Sequence, residues 1–153
     1  MNVLIEDEKP DIVLITETWL DASFGNCSLN MQNFDMFCQD RNNGADPTEG
    51  VMICTHKKIA AKRIEIDTTC EIVTVSIHFQ NTSVKLGVLY RPLSTNANES
   101  ANLFNLLRDI LETTRLYAIF GDYNLPGIDW TDNTTSNATA KYFIDICNEV
   151  NAH

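Results

Sequence analysis

The chain has 153 residues, 44% of them hydrophobic and 21% charged. That is ordinary for a soluble globular domain with a real core, and it excludes wholesale disorder. The net charge of −10 excludes a protein that coats DNA nonspecifically, which needs clustered Lys and Arg.

A nuclease remains open, because metal-ligating carboxylates add negative charge that a bound cation offsets. No stretch approaches the ~20 apolar residues of a membrane helix. Met1 to Pro10 carries Glu6, Asp7 and Glu8 and has no long apolar core, so no secretory signal is expected. The five cysteines, Cys27, Cys38, Cys54, Cys70 and Cys147, are scattered without a C-x-x-C pair. A zinc site and a disulfide framework are both disfavoured, and a reducing, intracellular compartment is the simpler expectation. Sequons at Asn26, Asn81, Asn98, Asn133 and Asn137 are read as Asn- and Thr-rich loops.

In chain order, Pro10 is followed by the β-branched run Ile12-Val13-Leu14-Ile15, which predicts a strand covered on both faces. Leu29 to Gly50 is polar and irregular, with Phe34 to Phe37 as a short strand inside it. Val51 to Cys54 is another apolar strand. Val73, Val75, Ile77 and Phe79 then alternate with Thr74, Ser76 and His78. After a turn at Asn81-Thr82-Ser83, Val84, Leu86, Val88 and Tyr90 alternate again, which predicts an antiparallel hairpin. Leu103, Leu106, Leu107, Ile110 and Leu111 define one apolar helix face, and Asn96 with Glu99 forms a capping box in front of it. Tyr117 to Phe120 is a second short buried strand, ended by Gly121. Tyr142, Phe143, Ile146, Cys147 and Val150 predict a final helix. The order suits α/β layers with both faces of a sheet covered.

Polar clusters follow three of these strands: Thr16-Glu17-Thr18-Trp19, Tyr90-Arg91-Pro92 and Gly121-Asp122-Tyr123-Asn124-Leu125-Pro126. Strand ends are where ligand sites collect in layered α/β folds. Were the strands neighbours, Glu17 and Asp122 would converge. Mg²⁺ takes oxygen ligands and is commonly held by one or two carboxylates plus a substrate phosphate. An Asp beside an Asn can orient an attacking water, the carboxylate taking its proton. Gly121 would let the backbone approach a substrate closely.

These segments carry a resemblance. Pro10 through Leu20, with Thr16-Glu17-Thr18, resembles the Glu motif of the endonuclease/exonuclease/phosphatase family, and Gly121-Asp122-Tyr123-Asn124 resembles its G-D-[FY]-N motif. Val88-Leu89-Tyr90-Arg91-Pro92, Leu125 through Trp130, and Asp40-Arg41 followed by Gly50 to Ile53 are similar to the non-LTR retrotransposon branch, LINE-type and jockey-like. The similarity runs from about Pro10 to the last residue.

The resemblance implies an α/β fold, part of a four-layer DNase I-like sandwich with two mixed or antiparallel sheets and outer helices. Residues 1–153 would form a partial domain lacking its C-terminal part. It implies a hydrolase, a Mg²⁺- or Mn²⁺-dependent endonuclease that nicks DNA and leaves a 3′-hydroxyl to prime reverse transcription. Glu17 would ligate the metal, Asp122 would orient or activate the water, and Asn124 would hold the nucleophile or a phosphate oxygen. Tyr90 would hydrogen-bond the phosphate, and Arg91 would contact backbone phosphate. The implied partners are DNA and a reverse transcriptase domain in a parent polyprotein, without a membrane, and the implied location is nuclear. Two family features have no counterpart: an Asn before the Glu motif, and a closing Ser-Asp-His, for which His153 is no substitute. Little activity is therefore expected of these residues alone.

Singly, each motif has a plainer reading. Glu17 could be a solvated loop carboxylate, Asp122 and Asn124 turn formers, and Tyr90 a core residue. Trp19 and Trp130 are read as packing residues, His78 as solvated, His56 as a loop residue beside Lys57 and Lys58, and Asp129 as structural. Two rival functions stand beside the nuclease. One is a phosphatase or phosphodiesterase of the same fold acting on a lipid or small phosphate ester. The other is a non-catalytic transposon-derived fragment.

Overall fold

The computed structural model describes residues 8–19, 31–40, 50–68, 70–113 and 116–150. Cys27, Asn26, Arg41 and His153 lie outside them. The described strands are β1 (Ile12–Thr16), β2 (Phe34–Asp40), β3 (Gly50–His56), β4 (Ala60–Ile64), β5 (Glu71–Phe79), β6 (Thr82–Tyr90) and β7 (Tyr117–Asp122). The helices are α1 (Ala97–Thr113) and α2 (Ala138–Glu149). The chain divides into two compact units. The first runs to Tyr90 and resumes over Leu116–Asp122, and the second begins at Arg91 and resumes at Tyr123.

All seven strands belong to the first unit. β1, β3 and β2 form an antiparallel sheet with β3 in the middle, and β4, β5, β6 and β7 form a mixed sheet in that order. β4, β5 and β6 are antiparallel to their neighbours, while β6 and β7 run parallel. A parallel pair needs a long crossover, and α1 lies in the connection that supplies it. Val51 and Ile53 of β3 pack against Val73, Val75 and Ile77 of β5 and Leu86, Val88 and Tyr90 of β6, so the two sheets face each other. Period two explains the choice of residues, since alternate side chains share a face.

The predicted hairpin is β5–β6, with its turn at Gln80–Asn81, one residue earlier than expected. Ile12 and Leu14 of β1 face the inter-sheet core, and Val13 and Ile15 face the cluster of Met31, Phe34, Met52 and Cys54. Both faces of β1 thus find apolar partners, as its continuous run implied. It stays only half-buried because it is an edge strand. β2 is longer than its apolar kernel. β4 escapes sequence reading because Ala60 to Ile64 has little alternation or β-branching. Cys38 is disulfide-bonded, whereas Cys54, Cys70 and Cys147 are free. Scattered spacing argues against a disulfide framework, but a single bridge needs only proximity in space. The cysteine pattern therefore no longer points to one compartment.

In the second unit the capping box forms as predicted. Asn96 N donates to Glu99 Oε2 at 3.2 Å, and Glu99 N donates to Asn96 Oδ1 at 3.0 Å. Asn137 caps α2 by accepting from Thr139 N and Ala140 N. The helices pack through Phe104 and Phe143, whose ring centroids are 5.0 Å apart. Tyr142 OH donates to Asn105 Oδ1 at 2.6 Å. No described helix is long and apolar enough to cross a membrane.

Expected to be buried, β7 is as an edge strand only half-buried, with Phe120 exposed. Gly121 does not end β7, which continues to Asp122. Its φ of 149° suits glycine, and a Cβ there would run into the backbone of Leu89 on β6. The approach that demands glycine is therefore to a neighbouring strand rather than to a substrate. Gly121→Ala is expected to cost about 3 kcal/mol of stability, through overpacking and a backbone region reserved for glycine. Urea unfolding checks this, and a wild-type midpoint would mean that β7 can move off β6 without loss.

Candidate active site

In the first unit the mixed sheet ends in a row of polar residues. Tyr90 is the register partner of Glu71 on β5 and of Asp122 on β7. Register partners share a face, and Tyr90 continues the face of Leu86 and Val88, so all three belong to the side that meets the other sheet. Glu71 and Tyr90 are buried, and Asp122 is half-buried. β1 belongs to the facing sheet and packs near β6 and β7. Glu17 and Asp122 thus follow or end strands of different sheets, where the sequence had suggested neighbours in one.

Glu17 is exposed, with a φ of 54°. Thr18 N donates to Gly50 O at 3.1 Å, which ties down the residue after it. A left-handed backbone is uncommon for a non-glycine residue. Among the described residues, six non-glycines adopt it, and both Glu17 and Asn124 are in that set. Asn visits this region more easily than Glu, because its short side chain bonds locally. Of these two residues, Glu17 therefore carries the greater strain.

In the second unit Arg91 is buried. Its Nε and Nη2 donate to Ser100 Oγ at 3.1 and 2.9 Å, and Nη2 also donates to Thr95 O at 3.4 Å. Nη1 donates to Tyr123 O at 3.3 Å and to Asn124 O at 2.9 Å. Asn124 Nδ2 returns a bond to Arg91 O at 2.9 Å. Tyr123 sits 4.8 Å from the Phe143 ring, and burial, with Cys147 nearby, pushes its phenol upward. The aromatic residue between Asp122 and Asn124 is thus a packing anchor on α2.

Set against the sequence reading, Tyr90 takes the core position that was one of its two alternatives. Arg91 is a departure, since a buried guanidinium supplied with protein acceptors is poorly placed for a phosphate contact. Trp19 and Trp130, read as packing residues, are 56% and 64% exposed. His78 is exposed as expected, whereas His56 ends β3 and stacks edge-on against Phe34 at 5.4 Å. Asp129 forms a bridge with Thr134 and accepts from Thr131 N at 2.9 Å, a loop-shaping role. Sequence reading missed Glu71. Extending the Val73–Val75–Ile77 face back by one step of two would have found it.

Glu17 and Asp122 offer hard oxygen donors of the kind Mg²⁺ takes. Beside Glu17, the buried Thr18 Oγ1 has no hydrogen-bond partner among the described residues. No group of three or more His, Cys, Asp or Glu gathers among them. In donor type Glu17 and Asp122 are compatible with a hydrated cation held by one or two carboxylates.

The fold has solved counterparts. The endonuclease domain of TRAS1, a telomere-specific non-LTR retrotransposon, superposes with a TM-score of 0.68 at 14% identity, covering 97% of this chain and 62% of that one. The human Nocturnin catalytic domain, solved with a bound sulfate anion, gives 0.63 at 12% identity, covering 97% and 60%. A D. rerio TDP2 solved with a single-strand DNA product gives 0.57 at 15% identity, covering 90% and 57%. This chain shares the α/β fold of these domains. It spans less than two thirds of the length of each of those domains. No family model and no curated protein matches it.

Glu17→Gly separates strain from function. Relief of the left-handed penalty, partly offset by the entropy of glycine, should raise stability by about 1 kcal/mol. The same change should weaken Mg²⁺ binding. Denaturant unfolding in the absence of divalent cations measures the first effect. Loss of stability would show that the Glu17 side chain makes a contact the fold needs.

Proposed function

We propose that this chain is part of a Mg²⁺- or Mn²⁺-dependent endonuclease that nicks DNA by phosphodiester hydrolysis. We place it with a reverse transcriptase domain in a retrotransposon polyprotein that acts in the nucleus. The observation that carries this reading is the end of β6 and β7, where Tyr90 and Asp122 are register partners on the inter-sheet face. The strained Glu17 after β1 and the fold shared with a retrotransposon endonuclease domain support it.

In this reading Glu17 would hold the cation, which when bound would polarise a phosphoryl oxygen and offset its growing charge. Asp122 would accept a proton from the water that attacks phosphorus in line; the P–O3′ bond breaks, giving a 5′-phosphate and a 3′-oxygen that takes a proton from solvent to become the 3′-hydroxyl. Asn124 holds that water or a phosphate oxygen, and Tyr90 offers its hydroxyl to the phosphate. The DNA arm of the proposal leans on the Tyr-Arg-Pro and Ile-Asp-Trp contexts of the sequence, since chemistry at phosphorus is common to lipid and small-ester substrates.

Two measurements test it. Calorimetry of residues 1–153 should show weak Mg²⁺ or Mn²⁺ binding that Glu17→Ala abolishes, and binding unchanged by that substitution would put the metal elsewhere. Nicking of supercoiled plasmid should be slow, require the cation, stop with chelator and fall about 10²–10⁴-fold in Asp122→Ala. Cleavage that survives Asp122→Ala would defeat the assignment, and a phosphate monoester cut in preference to plasmid would favour the phosphatase.

A further inference from the structure

We propose that Arg91 is the positioning residue for Asn124, a guanidinium that acts through the protein and never touches substrate. The inference deepens the proposed function, because it rests on Asn124 holding the attacking water or a phosphate oxygen.

The donor arithmetic carries it. A guanidinium has one N–H on Nε and two on each terminal nitrogen. Nε meets Ser100 Oγ, Nη1 meets Tyr123 O and Asn124 O, and Nη2 meets Thr95 O and Ser100 Oγ. The acceptors match the whole donor set, and Arg91 is only 6% exposed. Phosphate would have to displace protein oxygens from a buried site, leaving them unsatisfied.

The other end of the network is equally committed. Ser100 Oγ donates to Asn96 O at 2.8 Å, so its hydrogen is used and its lone pairs face Arg91. Ser100 is fully buried in the first turns of α1, where the Asn96–Glu99 capping box holds the backbone. Support therefore runs from α1 through Ser100 to Arg91, and from there to Tyr123 and Asn124. The bond from Asn124 Nδ2 to Arg91 O fixes the carboxamide itself, because a carbonyl can only accept. Backbone and side chain of Asn124 are thus both held by one residue, in a left-handed conformation with a φ of 46°.

Lysine cannot replace this arrangement. Its ammonium is a point charge with fewer donors and no planar fork. Arg91→Lys should therefore behave like Arg91→Ala, while added guanidinium should restore Arg91→Ala.

The experiment pairs nitrogen-15 NMR of residues 1–153 with plasmid nicking. Arg91→Ala and the milder Ser100→Ala should shift the Asn124 side-chain amide and the backbone amides of Tyr123 and Asn124. Val75 and Val88 should stay in place, and guanidinium should return the Arg91→Ala signals to wild-type positions. Nicking should lose about 10²-fold in kcat, the order expected of a misplaced group, with KM unchanged. If Arg91→Ala fails to fold, Ser100→Ala decides the matter. Unmoved Asn124 signals would overturn the proposal, and so would a raised KM with kcat retained, the mark of a residue that binds substrate. The NMR arm needs no turnover. Cleavage that survives Asp122→Ala would therefore count against the nuclease reading, while the Asn124 signals still judge Arg91.

Discussion

The contact on which the first unit depends is the apolar face between its two sheets. Val51 and Ile53 on one side and Val73, Val75 and Val88 on the other are essentially fully buried. Each such side chain contributes about 1.5–3 kcal/mol on leaving water. That burial sets the register of β5, β6 and β7, because a slip of one residue would turn every valine outward. The same register makes Glu71, Tyr90 and Asp122 a row. Polar residues at the end of an apolar face are the cheapest place for a sandwich to carry chemistry. The core positions them, and they lie where the core ends.

A second constraint is the way each motif changes character at one peptide bond. Tyr90 belongs to the sheet unit and Arg91 to the helical unit, and the chain changes over again between Asp122 and Tyr123. Within each motif, then, one part is held by strand register and the other by hydrogen bonds and aromatic packing. Asp122 owes its place to β6, whereas Asn124 owes its place to Arg91. Substitutions in the two halves should report different mechanical supports, even when the residues are neighbours in sequence.

Departures from the sequence reading share a cause. Arg91 looked like a phosphate ligand because a strand-end arginine after a tyrosine offers charge, but Ser100 and the carbonyls of Thr95, Tyr123 and Asn124 occupy its donors. Gly121 looked like a concession to substrate, but the backbone of Leu89 is what leaves no room for a Cβ. Trp19 and Trp130 looked like packing residues because of their large apolar rings, yet both are more than half exposed. In each case identity suggested a partner, and only packing shows which partner is present.

The sequence by itself determined the elements whose information is local. Alternation over Val73–Phe79 and Val84–Tyr90 specified the hairpin, helical spacing from Leu103 specified α1, and Asn96 with Glu99 specified its cap. These follow from interactions within a few residues, so they can be counted along the chain. It also determined, through motifs in order, the fold to which the chain compares. Tertiary structure alone decided that β1 pairs with β3 and lies in the sheet facing β7, and that β7 runs parallel to β6. It alone decided that Asp122 falls beside Tyr90 in register, and that Arg91 turns inward. Those outcomes depend on which distant surfaces exclude water together and on which acceptors meet a given donor. Neither quantity is a function of spacing along the chain.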